Sequence, residues 1–553
     1  MSPVPSRRAG SYQPVKVYRS RSRRGPLIRL LLALAVVAGV VAAVTSCGGS
    51  PTFKSSSSFF SSPVLYRLPH GARPASSNKP NIVFVLTDDL SLDLLRFMPH
   101  VLAMERAGLT FKNYFVSDSL CCPSRASIFT GNYPHDTHVF SNSGPHGGFR
   151  VFYNRGEENH TFNLTLQRAG YLTGMMGKYL NGYLQYGQHK KDGGAADVPL
   201  SYVPPGWNAW DVAGWGYPEF DYQLNSNGSL YQFGHQPDDY LTDVMAKRGS
   251  QFIRAAAARH QPFFLELATF APHSPYVPAP RDANDFPGLK APEPPSFNVL
   301  PKNAPRWLAI HPSLTAKQVA TINHVFRLRA QSVQAVDRLI GTIEQVLRAT
   351  GTSRNTYLVF SSDNGLHTGE YRLMPGKLTA FDTDIHVPLV ITGPGITPGS
   401  TTSDVSENVD LAKTFASIAG TTYPSDGHTL MTLIRGQRPT NWRNAALIEH
   451  RNSHASLEGA DFQQPASGKP TPYEAIRTPG FLYVEYRDGE REFYDLRTDP
   501  FELNNIAGSL TPAQLAELHS SLLALKNCHN GRACWAASHV PLGTLASMGV
   551  PGA

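Results

Sequence analysis

NIVFVLTDDL, residues 81 to 90, is an unbroken apolar and β-branched run that stops at two carboxylates, and NTYLVFSSDNG, residues 355 to 365, repeats the design with Asp-Asn at its end. A run without polar alternation suits a strand covered on both faces, so both predict buried parallel strands. YLTGMMGK (171–178), PFFLELATF (262–270) and HVPLVITGPG (386–395) share the pattern. Between these runs apolar positions recur at helical spacing in MPHVLAMERAG, PSRASIFTG, TFNLTLQRAG, residues 238–259, a long stretch from about 315 to 349, and VDLAKTFASIAG. Strands alternating with helices predict an α/β sandwich around a large, mostly parallel sheet, with an active site outside the carboxyl ends of its strands.

The pattern changes after about residue 440. YEAIRTPG, FLYVEY and EREFYDL, separated by short turns, predict an antiparallel meander followed by a helix at 511–526. The Pro-rich stretch 272–312 has no period and is expected to be a long surface loop. The division that follows is a catalytic domain over 80–435 and a smaller C-terminal subdomain over 436–553.

The N-terminal 47 residues set the compartment. A basic segment, RSRSRRGPLIR, precedes the uncharged run LLLALAVVAGVVAAVTS, the form of a signal sequence or membrane anchor. It ends in VTSCGGS, which is similar to a bacterial lipobox with Cys47 as the lipidated residue; a plain single-span anchor is the alternative. Residues 48–79, rich in Ser, Gly and Pro, read as a disordered tether. The protein is therefore expected outside the cell membrane, in a bacterial envelope. The net charge of +8 is concentrated in the export segment, and no clustered basic face supports a nucleic-acid partner.

Export makes cysteines informative, because in an oxidising compartment they pair or are used. Of the five, Cys528 and Cys534 close a short loop and are read as a disulfide. Cys121 and Cys122, in LCCPSRASIFTG, are neighbours and could pair only through a strained ring. Pro123 suits the first helical position, which places Cys121 just ahead of a helix N-terminus, where backbone N–H groups favour an anion and Arg125 adds a guanidinium. As a plain thiol it is expected to be an acidic nucleophile. Asp88, Asp89, Asp363 and Asn364, each at a strand end, form a hard all-oxygen set that favours Ca²⁺ or Mg²⁺ over Zn²⁺.

CCPSRASIFTG resembles the signature of the type I sulfatases, in which the first cysteine is oxidised to Cα-formylglycine by a dedicated generating enzyme. The resemblance runs from NIVFVLTDD to FYDLRTDPFELNNIAG, and GKYLNGY, YVPPGWNAW, APHSPYVPAP and DNGLHTGEY are most similar to the N-acetylglucosamine-6-sulfatase and heparan-6-O-endosulfatase branch. It implies an alkaline-phosphatase-like sandwich and one Ca²⁺ held by Asp88, Asp89, Asp363, Asn364 and the formylglycine made from Cys121. One hydroxyl of its hydrate attacks the sulfur of a sulfate monoester, with Asp363 as the adjacent base, and the second expels sulfate. Cys122 fills the variable position.

By the same resemblance Lys178, Lys377 and Arg125 stabilise sulfate charge, His273 serves as the acid near the ester oxygen, and His367 faces substrate, with His135 and His138 as weaker pocket candidates. Lys178-Tyr179-Leu180 departs from the Lys-x-His of many arylsulfatases, so the group that assists the second step has no assignment. Trp207, Trp210 and Trp215 could stack on sugar or pack at the rim. The reading is a sulfuric ester hydrolase acting on a sulfated sugar. A broad arylsulfatase, a phosphomonoester or phosphonate hydrolase of the same superfamily, and a catalytically silent glycan-binding lipoprotein stay open beside it.

Overall fold

The computed structural model describes residues 52–61, 78–184, 198–451 and 463–541; the export segment with Cys47 lies outside them. Among these residues an 11-stranded sheet runs in the spatial order β1 (Lys54–Ser55), β8 (Ser229–Gln232), β7 (Gln223–Ser226), β6 (Ala209–Ala213), β5 (Leu172–Lys178), β9 (Phe263–Ala268), β2 (Asn81–Thr87), β10 (Thr356–Ser362), β11 (Leu389–Thr392), β3 (Leu109–Phe111) and β12 (Ser400–Thr402). Its centre, β6-β5-β9-β2-β10, is all parallel.

Successive residues of β2 enter opposite layers. Ile82, Phe84 and Leu86 face one core, which includes Ala126, Phe162 and Phe415, and Val83 and Val85 face another, with Phe252, Val336 and Ile340. Helices thus cover both faces, which explains why the strand has no polar alternation. The longest helix, Ala316–Ala349, begins with a capping box between Thr315 and Gln318, as the sequence pattern placed it.

Two expectations needed correction. The run 386–395 supplies β11, but it pairs antiparallel with β10, Leu358 opposite Thr392. The chain between β10 and β11, residues 363–388, is long enough for a parallel crossover, but it holds only the short helix Asp382–Ile385 and is taken up by the segment that carries Asp363, Asn364 and Lys377. Part of the stretch read as a tether is also folded: β1 pairs with β8, and helix Ser56–Ser61 buries Phe59 edge-on against Tyr231 and Phe233, centroids 5.1 and 5.2 Å away. One anchored aromatic leaves no periodicity to read.

Beyond the large sheet, β14 (Ala446–His450), β15 (Tyr473–Arg477), β16 (Phe481–Tyr486) and β17 (Arg491–Asp495) form an antiparallel meander, covered by helix Pro512–Lys526. Cys528 and Cys534 are bonded, with S–S 2.05 Å.

Candidate active site

Register builds the site. β2 and β10 pair residue for residue from Asn81–Thr356 to Thr87–Ser362, so Asp88 and Asp363 leave the sheet side by side. Leu86 lies opposite Ala268 of β9, and Ala268 opposite Gly177 of β5, so Lys178 and the segment carrying His273 emerge at the same level. Gly177, at φ +98°, has its missing Cβ position 2.0 Å from the Ala268 carbonyl; only glycine lets β5 approach there. Asp89 turns the chain at φ +62°, and the buried Arg329 of the long helix holds that turn by donating to the Asp89 carbonyl.

Helix Cys121–Thr130 then brings its first residue over these ends. The Cys121 Sγ lies 3.2 Å from Asp88 Oδ1, 3.9 Å from Asp89 Oδ1 and 2.7 Å from Lys377 Nζ. Lys178 Nζ donates to Asp88 Oδ2 at 2.5 Å, and Lys377 Nζ to Asp89 Oδ1 at 2.6 Å. Arg125 donates from Nε to Asp363 Oδ2 at 2.7 Å and from Nη1 to the Lys178 carbonyl at 3.0 Å. His273 Nδ1 lies 2.8 Å from the Ser274 carbonyl, an arrangement in which Nδ1–H donates, and Nε2 faces Asp89 Oδ2 at 3.4 Å. Asp88, Asp89, Asp363, Asn364, Cys121, Arg125, Lys178, His273 and Lys377 are all buried. Nine residues from six segments thus meet in one buried cluster.

Their electrostatics follow from that crowding. Burial alone would raise the Asp88 carboxyl, but Lys178 first, then His273 and Arg125, hold it well below the usual carboxylate range. Asp363 is pushed up to about 6 by burial and by Asp88. Burial would lower Lys377, but Asp89 and the Cys121 position raise it well above its ordinary value, so it stays charged. The Cys121 thiol is also raised, by burial and then by Asp88. The direction is opposite to that expected from sequence: Arg125 is turned onto Asp363, and burial with Asp88 outweighs the Lys178 and Lys377 ammonium groups, although Lys377 Nζ lies 2.7 Å from the sulfur.

The donor set fits a hard divalent cation. Oxygens of Asp88 and Asp89, the Cys121 position and His273 lie within 4.8 Å of one another. Asn364 donates from Nδ2 to Asp89 Oδ1 at 2.6 Å, while its buried carbonyl oxygen has no hydrogen-bond partner. An amide oxygen and carboxylates left together in this way are ligands for Ca²⁺ or Mg²⁺.

A cavity of about 240 Å³ opens beside these groups, lined by Asp89, His273, Lys377, Tyr276, Met374 and Gln463 among others. His367 does not serve it as expected. The ring is fully buried, with Nδ1 3.0 Å from Asp384 Oδ1 and Nε2 3.1 Å from the Ser467 carbonyl, so both nitrogens are used within the protein. Asp384 raises its pKa against the opposing effect of burial. His135 likewise spans Glu449 Oε2 at 2.7 Å and the Cys528 carbonyl at 2.8 Å, and His138 is exposed. Trp207 and Trp210 are core residues, Trp210 Nε1 donating to Tyr183 Oη at 2.7 Å.

Two neighbours carried no sequence signal. The Tyr217 ring lies 4.9 Å from Lys178 Nζ and 4.7 Å from the His273 ring, and Gln463 brackets the backbone of Lys377.

Residues 80–421 match the family described as Sulfatase, and residues 369–528 match N-sulphoglucosamine sulphohydrolase, C-terminal. The chain belongs to the sulfatase family. It is a sulfuric ester hydrolase by that membership. Relatives include the N-acetylglucosamine-6-sulfatase of Capra hircus, 34% identical over 83% of this chain and 85% of that protein, and that of Homo sapiens, 33% identical over 83% and 86%. A solved structure of a protein in complex with its substrate D-glucosamine-2-N,6-O-disulfate superposes with a TM-score of 0.65 at 24% identity, covering 81% of this chain and 97% of that one. The phosphonate monoester hydrolase of Agrobacterium radiobacter superposes at 0.60 with 22% identity, covering 81% and 96%. At such identities the superpositions establish the alkaline-phosphatase-like fold of this sulfatase and nothing narrower.

Proposed function

We propose that this sulfatase removes a 6-O-sulfate from an N-acetylglucosamine-type sugar, with Cys121 converted to formylglycine and Ca²⁺ held by Asp88, Asp89, Asp363 and Asn364. The observation that carries the substrate is the similarity to N-acetylglucosamine-6-sulfatases over 83% of the chain. The convergence of the carboxylates, Asn364 and both lysines on Cys121 supports the chemistry.

The Cys121 sulfur marks the position of the modified side chain, whose hydrate supplies one oxygen to attack sulfur and a second to release sulfate. A cation held by Asp88, Asp89, Asp363 and Asn364 would supply positive charge to polarise sulfate oxygens. Lys178 and Lys377, fixed on either side, meet the negative charge that grows on the sulfate oxygens, in a buried site where fixed charges act most strongly. His273, with Nδ1 held by the Ser274 carbonyl and Nε2 3.4 Å from Asp89 Oδ2, lines the cavity and as an imidazolium can give the Nε2 proton to the departing alcohol. Arg125 opposes the upward shift of Asp363 and aims its carboxylate. Extracellular sulfatases among the relatives accord with an exported protein whose N-terminal segment anchors it to the membrane through Cys47 or a single span, and a formylglycine-generating enzyme is the partner that matures it.

Two measurements test this reading. A peptide containing Cys121 that has lost its sulfur and gained an aldehyde establishes the modification; an unaltered thiol in fully active enzyme refutes it. N-acetylglucosamine 6-sulfate is expected to give a higher kcat/KM than its 3-sulfate isomer. Equal values, with faster turnover of an aryl sulfate, point to a broad arylsulfatase. Aryl phosphate preferred at equal leaving group points to a phosphoester enzyme.

A further inference from the structure

Lys377 sits on a segment without helix or strand, yet its ammonium must stay within bonding distance of both Asp89 and the Cys121 position. What fixes it comes from far along the chain. The Gln463 side-chain amide accepts from the Lys377 backbone N–H at 3.2 Å through Oε1 and donates to the Lys377 carbonyl at 2.5 Å through Nε2. Its Nε2 also reaches the carbonyls of Ser467 and Gly468, at 3.0 and 3.2 Å. The next turn of this segment is tied in as well, since Met374 N–H donates to the Ala466 carbonyl at 2.9 Å and His367 Nε2 lies 3.1 Å from the Ser467 carbonyl. Gly376 allows the approach: a Cβ there would lie 2.7 Å from the Ser467 Cβ and 2.9 Å from its carbonyl oxygen.

We propose that residues 463–468 form a clasp on the Lys377 segment and that Gln463 is the positioning residue that sets the lysine for catalysis. Every hydrogen-bonding atom of the Gln463 amide is engaged within the protein, so the residue acts through Lys377 and not by holding substrate. His367 acquires a role in the same clasp, gripping Ser467 from the side of Asp384. The inference rests on the reading of Lys377 as a group that meets the sulfate.

Variants of the matured, metal-loaded enzyme, confirmed as folded at the assay temperature, decide it with an activated aryl sulfate. Gln463→Ala is expected to lower kcat about a hundredfold, the effect of misplacing a catalytic group by about 1 Å, with KM changed by less than about threefold. Gln463→Glu keeps the length but sets an acceptor against the Lys377 carbonyl, and should lose kcat similarly; Gly376→Ala, which pushes the clasp away, should do the same. In a Lys377→Ala background Gln463→Ala should cost nothing further, because two residues acting as one unit are not additive. Wild-type kcat in Gln463→Glu, or an equal additional loss in the Lys377→Ala background, overturns the proposal. Wild-type kcat in Lys377→Ala alone instead refutes the role of the lysine, a separate failure that this arm identifies by itself.

Discussion

Two lysines bracket the same sulfur position, and they arrive by different routes. Lys178 is the last residue of β5, placed by the register of the sheet and by a glycine that lets the strand close on its neighbour. Lys377 stands on irregular chain and is placed by side-chain and backbone bonds from residues about ninety positions away. The first half of the site is a consequence of the fold; the second is an addition to it, made by a segment that lies between β14 and β15 of the small meander. A site divided in this way has a rigid side for the nucleophile and metal and an adjustable side facing the cavity, where Met374, Gly376, Lys377, Gln463 and Ser467 all contribute to the wall.

The largest effect expected is on the rigid side. Cys121→Ser should abolish turnover, because a single hydroxyl can take sulfate but has no second oxygen to expel it, while the fold survives a substitution of similar volume. Substrate-free mass measurement of the variant after exposure to an aryl sulfate should find the sulfated serine. Turnover at more than a trace of the wild-type rate would remove Cys121 from the mechanism. Cys122→Ser, whose residue lies in the core with its backbone N–H on Asn142, should retain most activity.

Next come the two lysines themselves. Lys178→Ala and Lys377→Ala should each lower kcat by about 10²- to 10³-fold, the range for loss of one fixed group on a developing negative charge. They should differ in stability without metal. Lys178→Ala leaves the fully buried Asp88 without its 2.5 Å partner, a loss of about 3–5 kcal/mol by the usual measure of a broken buried pair. Asp89 keeps His273 and the Asn364 amide beside it when Lys377 is removed, so the melting temperature should fall less. Denaturation with chelator and with Ca²⁺ present checks both points; equal destabilisation would erase the distinction between the two sides. Added Ca²⁺ should raise the melting temperature of the unmutated protein and do so less in Asp88→Ala.

His367 offers a smaller effect and a sharper choice. Its ring has no nitrogen left for substrate, so His367→Ala should lower stability and kcat through the clasp while leaving the ratio of kcat/KM between the 6-sulfate and 3-sulfate isomers unchanged. A collapse of that ratio with stability intact would return the residue to the substrate pocket.

The contrast explains what could be read from the sequence. Asp88, Asp89, Asp363, Asn364 and Lys178 all terminate apolar runs, and a run that ends abruptly in charge advertises a strand end at an active face. Cys121 and Arg125 were legible because a first-turn proline fixes the helix phase. Lys377, His273 and His367 lie in irregular chain, where residue type says nothing about direction; the family motif brought them forward, and the structure gathers Lys377 and His273 beside Asp89 while turning His367 onto Asp384 and Ser467. Gln463 and Tyr217 had neither period nor motif. β11 was legible as a strand but not in its direction, since an apolar run reads the same whichever way it pairs and the connection 363–388 is long enough for either. Phe59 shows the same limit at the sheet edge, where a single buried ring orders a Ser-rich stretch.

The smallest effect expected concerns the joint between the two regions, where the sequence offered His135 to the pocket and the structure uses it as a tie. Its ring accepts no ligand: Nδ1 lies against Glu449 at the end of β14, and Nε2 against the carbonyl of Cys528, so both nitrogens donate and the ring is an imidazolium. Burial opposes that charge, but Glu449 and the Cys528 carbonyl raise the pKa from 6.5 to about 9. Because the folded value is raised, the stability it contributes is fully present below the unfolded pKa near 6.5 and is lost as pH rises through about 9. The melting temperature should therefore decline over that interval in the wild type. In His135→Gln, whose amide cannot donate in both directions, it should start lower and decline less over the same interval. A variant that keeps the wild-type slope would show that some other group carries the alkaline loss, and that the catalytic and C-terminal parts are joined without this charge.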